Sequence, residues 1–485
     1  MAILINSWAA EPQFIGRVDE LARLERWWAG TDAEPINLFG RRRIGKSWLF
    51  RKFAHGKPAI LLVAEKTTLT QQLAKLADQL EPLMVARPEI KDIATLFRIL
   101  YQLAKTERTL VVIDEFPNLL GTSRAEIGEA LSSVQTTMEQ HRDESKIKLI
   151  LCGSAVAQME ALQAERSPLH GRLQRFALAP LAFSEARPFF DTDDVTDQLT
   201  RFSVTGGMPR YLSMLGRGDF VQTLSDGVVD RNAPLFNEVM SLLQAEVREP
   251  ATYLAILSEL AIKPKGTGSI SLQVGEETKK LSPYLEVLEA MRLVKQRRPV
   301  GADPKSRTVL WACDDGFIRF WFRFVAPFQA DLEAGGNPLA HVNKHIIPLM
   351  ADHTSPNFED LFRRWVRQQY TGASQVDAWW GNSLNALRQT RERTSEEIDA
   401  VGLDKKNVVV VGEAKWTNEP LSLDVLTDLW KYKVPALQQG GFKIPKDYQV
   451  VLASRSGFTL GVQEAASKNM NIRLVTATDL LNQVR

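Results

Sequence analysis

Residues 40–47 read Gly-Arg-Arg-Arg-Ile-Gly-Lys-Ser. The run fits the phosphate-loop pattern G-x-x-x-x-G-K-[ST] without a mismatch. A short, mostly apolar stretch, Ile36 to Phe39, precedes it, as a buried strand would. An apolar and basic helical pattern, Trp48 to Phe53, follows. Glycines at both ends let the backbone curl so that its N–H groups point inward at phosphate oxygens. The helix starting near Lys46 adds its positive end to the same anion. Lys46 is expected to reach the β- and γ-phosphates of ATP, and the Ser47 hydroxyl to hold Mg²⁺. The expected nucleotide contacts in this run are Gly40, Arg43, Ile44, Gly45, Lys46, Ser47 and Trp48. A surface turn followed by a helix is the alternative.

The chain of 485 residues exceeds a single core, so about three domains are expected. Its 44% hydrophobic and 24% charged content place it among globular proteins. A net charge of +2 gives no global argument for nucleic acid, although local patches can still matter. Cys152 and Cys313 each follow apolar residues and read as buried, reduced thiols of a cytosolic protein. No run of about 18 apolar residues exists, so no membrane span is expected. The start, MAILINSWAAEPQ, lacks a basic leader, so no signal peptide is expected and the localisation predicted is cytoplasmic.

A second signal is Thr109-Leu-Val-Val-Ile-Asp-Glu115. Its apolar residues predict a central parallel strand buried on both faces. Two carboxylates emerge at its C-terminal end, where ligands of open α/β sheets bind. Asp114 is expected in the Mg²⁺ shell, and Glu115 is placed to polarise the attacking water. A strand end with two solvated acids is the alternative. Before the phosphate loop, Val18 to Ala29 predicts an amphipathic helix, lying near the adenine or merely capping the sheet.

A third strand, Ile147 to Cys152, ends in Gly153-Ser154. Ser154 either senses the γ-phosphate or caps the next helix. Arg172, in Pro168-Leu-His-Gly-Arg172, supplies positive charge to the transition state or is a surface arginine. It precedes an apolar strand, Phe176 to Leu181. Helical segments follow at Ser184 to Phe190 and Val195 to Thr205. In Gly206-Gly-Met-Pro-Arg-Tyr-Leu212 two glycines stop one helix, and Pro209 starts the next at its first turn.

GRRRIGKS, LVVIDEF, the Gly-Ser after the third strand, PLHGR and GGMPRYL, in that order, resemble the archaeal-type ATPase group. That group belongs to the signal-transducing ATPases with numerous domains, related to AAA+ proteins. The resemblance covers roughly Phe14 to Leu235. It implies a helical lid packed against the nucleotide base through the GGxP element, giving Pro209 a ligand-side role.

In the middle of the chain, Ala251 to Ala261 is helical, a short helical piece lies near Leu272 to Lys280, and Ser282 caps a further helix whose first position is Pro283. Val294 to Val300 and Thr308 to Ala312 read as a hairpin. Helices followed by a basic hairpin describe a winged helix-turn-helix. Lys295, Arg297, Arg298, Lys305 and Arg307 sit on or beside the wing, where phosphate contacts are usual. The alternative is a hinge that only relays movement. Asp315 to Phe328 reads as a buried, aromatic connecting helix.

In the last part, Asn357-Phe-Glu-Asp360 opens an amphipathic helix through Tyr370, with Glu359 in its first turn. Asp399 lies on one arm of a hairpin and Glu413-Ala-Lys415 on the other. Residues 413 and 415 alternate to the same strand face, presenting a carboxylate and an amine toward Asp399. Two carboxylates can hold Mg²⁺ or Mn²⁺, and the lysine can orient or activate the attacking water. The alternative is a solvated hairpin with a salt bridge.

This constellation resembles the PD-(D/E)xK nuclease superfamily. The chain order looks like an archaeal-type ATPase carrying its usual C-terminal domain. The resemblance implies metal ligation by Asp399 and Glu413, water activation by Lys415 and an accessory acid at Glu359. Ile398 stands where the superfamily has a proline. The fold class expected is therefore α/β: a P-loop NTPase with a helical lid (1–235), a winged helix-turn-helix (236–330) and a restriction-endonuclease-like α/β domain (331–485). The function expected is an ATP-driven switch controlling a metal-dependent nuclease, with nucleic acid, DNA above all, as partner. A homo-oligomer or a partner protein is also compatible. The alternatives are a signalling or DNA-binding ATPase whose last domain binds without cutting, and a protein-assembly ATPase.

Overall fold

Five parallel strands form the first sheet: β1 (Ile36–Phe39), β2 (Ala59–Val63), β3 (Thr109–Asp114), β4 (Ile147–Gly153) and β5 (Gln174–Ala177), in the order β2-β3-β4-β1-β5. The apolar runs of β3 and β4 are buried, as central parallel strands covered on both faces must be. Helices follow the strands as crossovers: Lys46–Ala54 after β1, Leu69–Leu80 and Ile93–Leu103 after β2, and Arg124–His141 after β3. The last of these opens with a capping box, Ser123 bonding the Glu126 N–H and Glu126 reaching back to the Ser123 N–H. The strand expected at Phe176 to Leu181 forms two residues earlier, at Gln174, and ends at Ala177.

This computed structural model describes residues 14–31, 34–247, 249–303, 309–384 and 395–484. By contact the chain divides into two units. One runs to Leu181 and includes Met208–Arg210. The other comprises Ala182–Gly207 and everything from Tyr211 onward. Among the described residues no helix is long and apolar enough to cross a membrane.

The second unit is built on a mixed sheet: β8 (Gln375–Asn382), β9 (Ser395–Asp404), β10 (Asn407–Lys415), β11 (Gln449–Ser454) and β12 (Ile472–Thr476), paired in reverse chain order. The pairs β8/β9 and β9/β10 are antiparallel; β10/β11 and β11/β12 are parallel. Its period-2 pattern divides the apolar residues between two clusters. Val410, Ala414, Val451 and Ala453 join Phe358, Phe362 and Trp365 of helix Met350–Gln369. Val411, Val450 and Leu452 join Leu426, Leu429 and Leu437 from the segment after β10.

Of the segment expected as a lid, Ala182–Gly207 clusters with the second unit. Phe183, Val195 and Leu199 lie in the same core as Phe358 and Trp365. Helix Val195–Thr205, at the predicted bounds, carries these contacts. It stops at Gly206, φ 60°, against the start of helix Gly316–Phe324. A Cβ on Gly316 would lie 2.5 Å from the Ser203 carbonyl oxygen, so only glycine permits this approach. The Ser203 hydroxyl lies 3.2 Å from Thr354 Oγ1, and the Ser203 carbonyl lies 3.1 Å from His353 Nε2.

Between these parts, helices Pro250–Ile262, Thr267–Val274 and Thr278–Ala290 precede an antiparallel pair, β6 (Val294–Arg297) and β7 (Leu310–Cys313). Two expected bounds are corrected here. The short helix lies at Thr267–Val274, not 272–280, and Pro283 sits inside its helix rather than at its first position. Pro283 is in the second turn, so the bond it forgoes is to the carbonyl of Lys279. Helix Met350–Gln369 likewise starts before the predicted Asn357 and carries Pro356 internally, placing Glu359 in mid-helix.

The basic hairpin is engaged internally. Lys295 pairs with Asp314 at 2.7 Å and Asp360 at 3.3 Å. Arg297 approaches Glu397 at 3.6 Å and lies over the Trp380 ring. The Val300 N–H donates to the Ala378 carbonyl at 2.9 Å, fastening the hairpin to β8. Lys305 and Arg307 lie outside the described residues.

Candidate functional sites

At the end of β1 the chain turns through residues 40–45 into helix Lys46–Ala54. Gly45 takes φ 92°, a left-handed conformation that admits glycine cheaply. Arg43 takes φ 67°, an uncommon cost for a non-glycine residue. The Lys46 ammonium donates to the Gly40 carbonyl at 2.7 Å and the Arg41 carbonyl at 3.3 Å, so the lysine folds back over the loop mouth. A brace not read from the sequence is Arg17. It is buried, and its guanidinium donates to the Ile44 carbonyl at 3.0 Å. The sequence signal was faint: one arginine ahead of a helix, with nothing in its spacing pointing at residue 44. Trp48, expected among the nucleotide contacts, is 46% exposed at the start of the helix.

Ser47 Oγ lies 3.3 Å from Asp114 Oδ2, which joins the phosphate loop to the end of β3. A hydroxyl and a carboxylate are hard oxygen donors suited to Mg²⁺. Glu115 follows in the left-handed region at φ 53°. Its Oε2 accepts from the Ser154 N–H at 3.2 Å and the Ser154 hydroxyl at 2.9 Å. Ser154 therefore orients Glu115. The helix-capping alternative is excluded, because helix Val156–Ala161 takes Ala155 as its cap. Cys152 lies buried on β4 between these groups. Burial, and then the Asp114 carboxylate, pushes its thiol well up, so it stays protonated.

Pro209 clusters with the nucleotide unit; a Cβ on Gly45 would lie 3.7 Å from its Cγ. The Arg172 guanidinium pairs with Glu139 at 2.7 Å and bonds the Pro168 and His170 carbonyls. Both partners of the ion pair are largely exposed, the setting in which such pairs contribute little.

The second site lies at the C-terminal end of β10. Lys415 Nζ lies 3.2 Å from Asp399 Oδ2 and 2.9 Å from Glu413 Oε2. The three side chains thus converge, as the alternation of 413 and 415 requires. Asp399 Oδ2 also accepts from the Ala414 N–H at 2.9 Å. Glu413 is fully buried, and its Oε1 accepts from Lys433 Nζ at 2.6 Å. Burial pulls the Lys415 ammonium down, and the Asp399 and Glu413 carboxylates more than offset this, so it is raised. Burial, and then Asp399, pushes Glu413 up against the pull of both lysines.

Glu359 accepts from the Ser355 hydroxyl at 3.2 Å. Burial, and then the Asp399 carboxylate, pushes it up to about 8, so it carries a proton at neutral pH. Its neighbour Asp360 behaves oppositely. Burial raises it, but Lys295 and Arg363 outweigh that and hold it well below the usual carboxylate range.

Among the described residues, no three His, Cys, Asp or Glu side chains are grouped to hold a metal ion. Asp399 and Glu413 converge on the Lys415 ammonium. Two carboxylates on one cation suit a hard divalent ion whose other positions are filled by water.

Lys433 is the residue that sequence reading missed. It ends a single wide helical turn, Leu429–Lys433, closed by a Val434 N–H to Leu429 carbonyl bond. The available signal was a lysine on the apolar stripe of Leu426, Leu429 and Leu437.

Residues 14–215 match the family described as an ATPase domain predominantly from Archaea. Residues 321–426 match a family of archaeal and bacterial proteins of unknown function. An uncharacterized protein of Methanocaldococcus jannaschii is 29% identical over 411 residues, covering 83% of this chain and 87% of the relative. Among solved structures, a Walker-type ATPase of Pyrococcus abyssi has a TM-score of 0.47 at 19% identity, over 67% of this chain and 100% of its own. The ORC2 protein of Aeropyrum pernix, solved as ADPNP–ADP complexes, has a TM-score of 0.44 at 15% identity, over 67% of this chain and 97% of its own. Residues 14–215 are thus similar to the archaeal ATPase family, and residues 321–426 to a family of archaeal and bacterial proteins of unknown function.

Proposed function

We propose that the chain is an ATP-hydrolysing switch coupled to a metal-dependent nuclease site acting on nucleic acid, DNA in preference. The observation that carries the second half is the convergence of Asp399, Glu413 and Lys415, with the ammonium within 3.2 Å of both carboxylates. In the first site, Lys46 leaves its loop carbonyls to neutralise the β- and γ-phosphates. Ser47 and Asp114 would hold Mg²⁺. Glu115, oriented by Ser154, polarises the attacking water.

In the second site, Asp399 and Glu413 would hold Mg²⁺ or Mn²⁺. The bound ion supplies Lewis-acid polarisation of the scissile phosphate. Lys415, released from its bridge, orients the attacking water. Glu359, beside Asp399, is the accessory acid of this site. Within the first unit Pro209 lies beside Gly45; within the second, Val195 and Leu199 share a core with the helix that carries Glu359.

A second reading has its own support. Glu413 has each oxygen on a lysine, which suits a domain that binds nucleic acid without cutting it. Mg²⁺- or Mn²⁺-dependent cleavage of plasmid, single-stranded DNA and RNA, with and without ATP, separates the two. Cleavage lost in Lys415→Ala supports the first. Binding at low salt without cleavage supports the second.

A further inference from the structure

The Glu413 carboxyl group stands between two ammonium groups. Lys415 bridges its Oε2 to Asp399, and Lys433 holds its Oε1 at 2.6 Å. Both lysines do not have the same freedom. The Lys415 side chain is 34% exposed and can swing outward. Lys433 is 8% exposed and is delivered by the wide turn Leu429–Lys433, whose Leu429 is locked in the core. Such turns recur at functional sites because they re-aim one side chain within a helix.

A divalent ion held by Asp399 and Glu413 would displace the Lys415 ammonium from them. Lys433 cannot follow Lys415 out, so its charge remains on the far oxygen of Glu413. Two consequences follow from electrostatics. The fixed oxygen on Lys433 leaves Oε2 facing Asp399. The remaining positive charge weakens the hold of the carboxylate pair on a second cation.

We propose that Lys433 is a positioning residue that acts through Glu413: it aims Oε2 at Asp399 and limits the affinity of the pair for a divalent cation. This rests on the metal-dependent reading above. It gives a role to a buried lysine at a place where an apolar residue would pack at lower cost. It also makes the metal exchangeable, so that a bound ion is held firmly only when substrate phosphate adds its negative charge.

The test is Mn²⁺ binding to the nucleotide-free full chain, followed by electron paramagnetic resonance, in wild type, Lys433→Met, Lys433→Arg and Asp399→Asn. The Asp399-dependent signal reports this site. Lys433→Met is expected to bind Mn²⁺ about tenfold more tightly, and Lys433→Arg, which keeps the charge, within about threefold of wild type. Cleavage in Lys433→Met is expected to fall although its metal binds better. A purely structural lysine moves cleavage and metal binding in the same direction. Equal Mn²⁺ affinity in folded wild type and Lys433→Met overturns the proposal while leaving the metal-dependent reading intact. No Asp399-dependent Mn²⁺ signal in any variant overturns that reading, and this inference with it. Should Lys433→Met unfold in metal-free buffer, Mn²⁺ is expected to restore its far-ultraviolet circular dichroism; no recovery at any Mn²⁺ concentration overturns the proposal.

Discussion

Ser154 gives its backbone N–H and its hydroxyl to the same oxygen of Glu115, at 3.2 and 2.9 Å. The carboxylate is thereby fixed on a residue whose own backbone is strained, at φ 53°. Removing the hydroxyl leaves one bond of two. Ser154→Ala is expected to lower kcat for ATP hydrolysis about tenfold with KM unchanged, since a bond to a charged group is worth about 1.5–3 kcal/mol. Glu115→Gln keeps the shape and removes the base. Its kcat is expected to fall about 100-fold or more while ATP binding persists. Steady-state hydrolysis and titration with a fluorescent nucleotide measure both.

Gly45 and Gly56 make a matched pair. Both have positive φ, at 92° and 77°, and neither Cβ would meet a backbone atom. Alanine at either costs about 1–2 kcal/mol in the left-handed region. Gly45 lies in the phosphate loop, and Gly56 lies beyond the following helix. Gly45→Ala is therefore expected to lower ATP affinity about tenfold, and Gly56→Ala to leave it unchanged despite a similar loss in thermal stability. Equal ATP affinity in the two variants contradicts the role given to the loop.

His353 is buried between helix Val195–Thr205 and the rings of Phe320 and Phe324. Burial, and then Arg319, holds its imidazole well below the usual range, so it is neutral when folded. In the unfolded chain it takes a proton near pH 6.5. The unfolded state then binds more protons, so stability falls as pH is lowered through 6.5, by up to about 1.4 kcal/mol per pH unit from this group. Above that pH the contribution is flat. Urea unfolding of wild type and His353→Gln, from pH 5 to 8, is expected to show a steeper acid loss in wild type. Parallel curves contradict it.

Local pattern and tertiary context divided what the chain revealed. Strands β1, β3 and β4 were legible because parallel strands buried on both faces are short apolar runs. Helix Val195–Thr205 was legible from its period and its terminal glycines. The helix through Glu359 was read too short because Pro356 reads as a start signal, yet packing carries the helix through it. Helix Thr278–Ala290 was misread at Pro283 for the same reason. The pairing of the basic hairpin with Asp360 and Glu397 was not legible, because both come from other elements. At the sites, short-range spacing gave Lys46, Ser47, Glu413 and Lys415. Arg17 and Lys433 escaped because each reaches its partner through the fold, 27 and 20 positions away.

The convergence of Asp399, Glu413 and Lys415 is tested most directly by the cleavage of nucleic acid in Mn²⁺ by wild type and Lys415→Ala, each confirmed folded by ATP binding. Wild type is expected to nick or linearise plasmid DNA, with cleavage abolished by chelation and lowered at least about 100-fold in Lys415→Ala. Equal cleavage by the two proteins, or none by wild type on plasmid, single-stranded DNA or RNA with ATP present, contradicts the assignment of this site to phosphodiester hydrolysis.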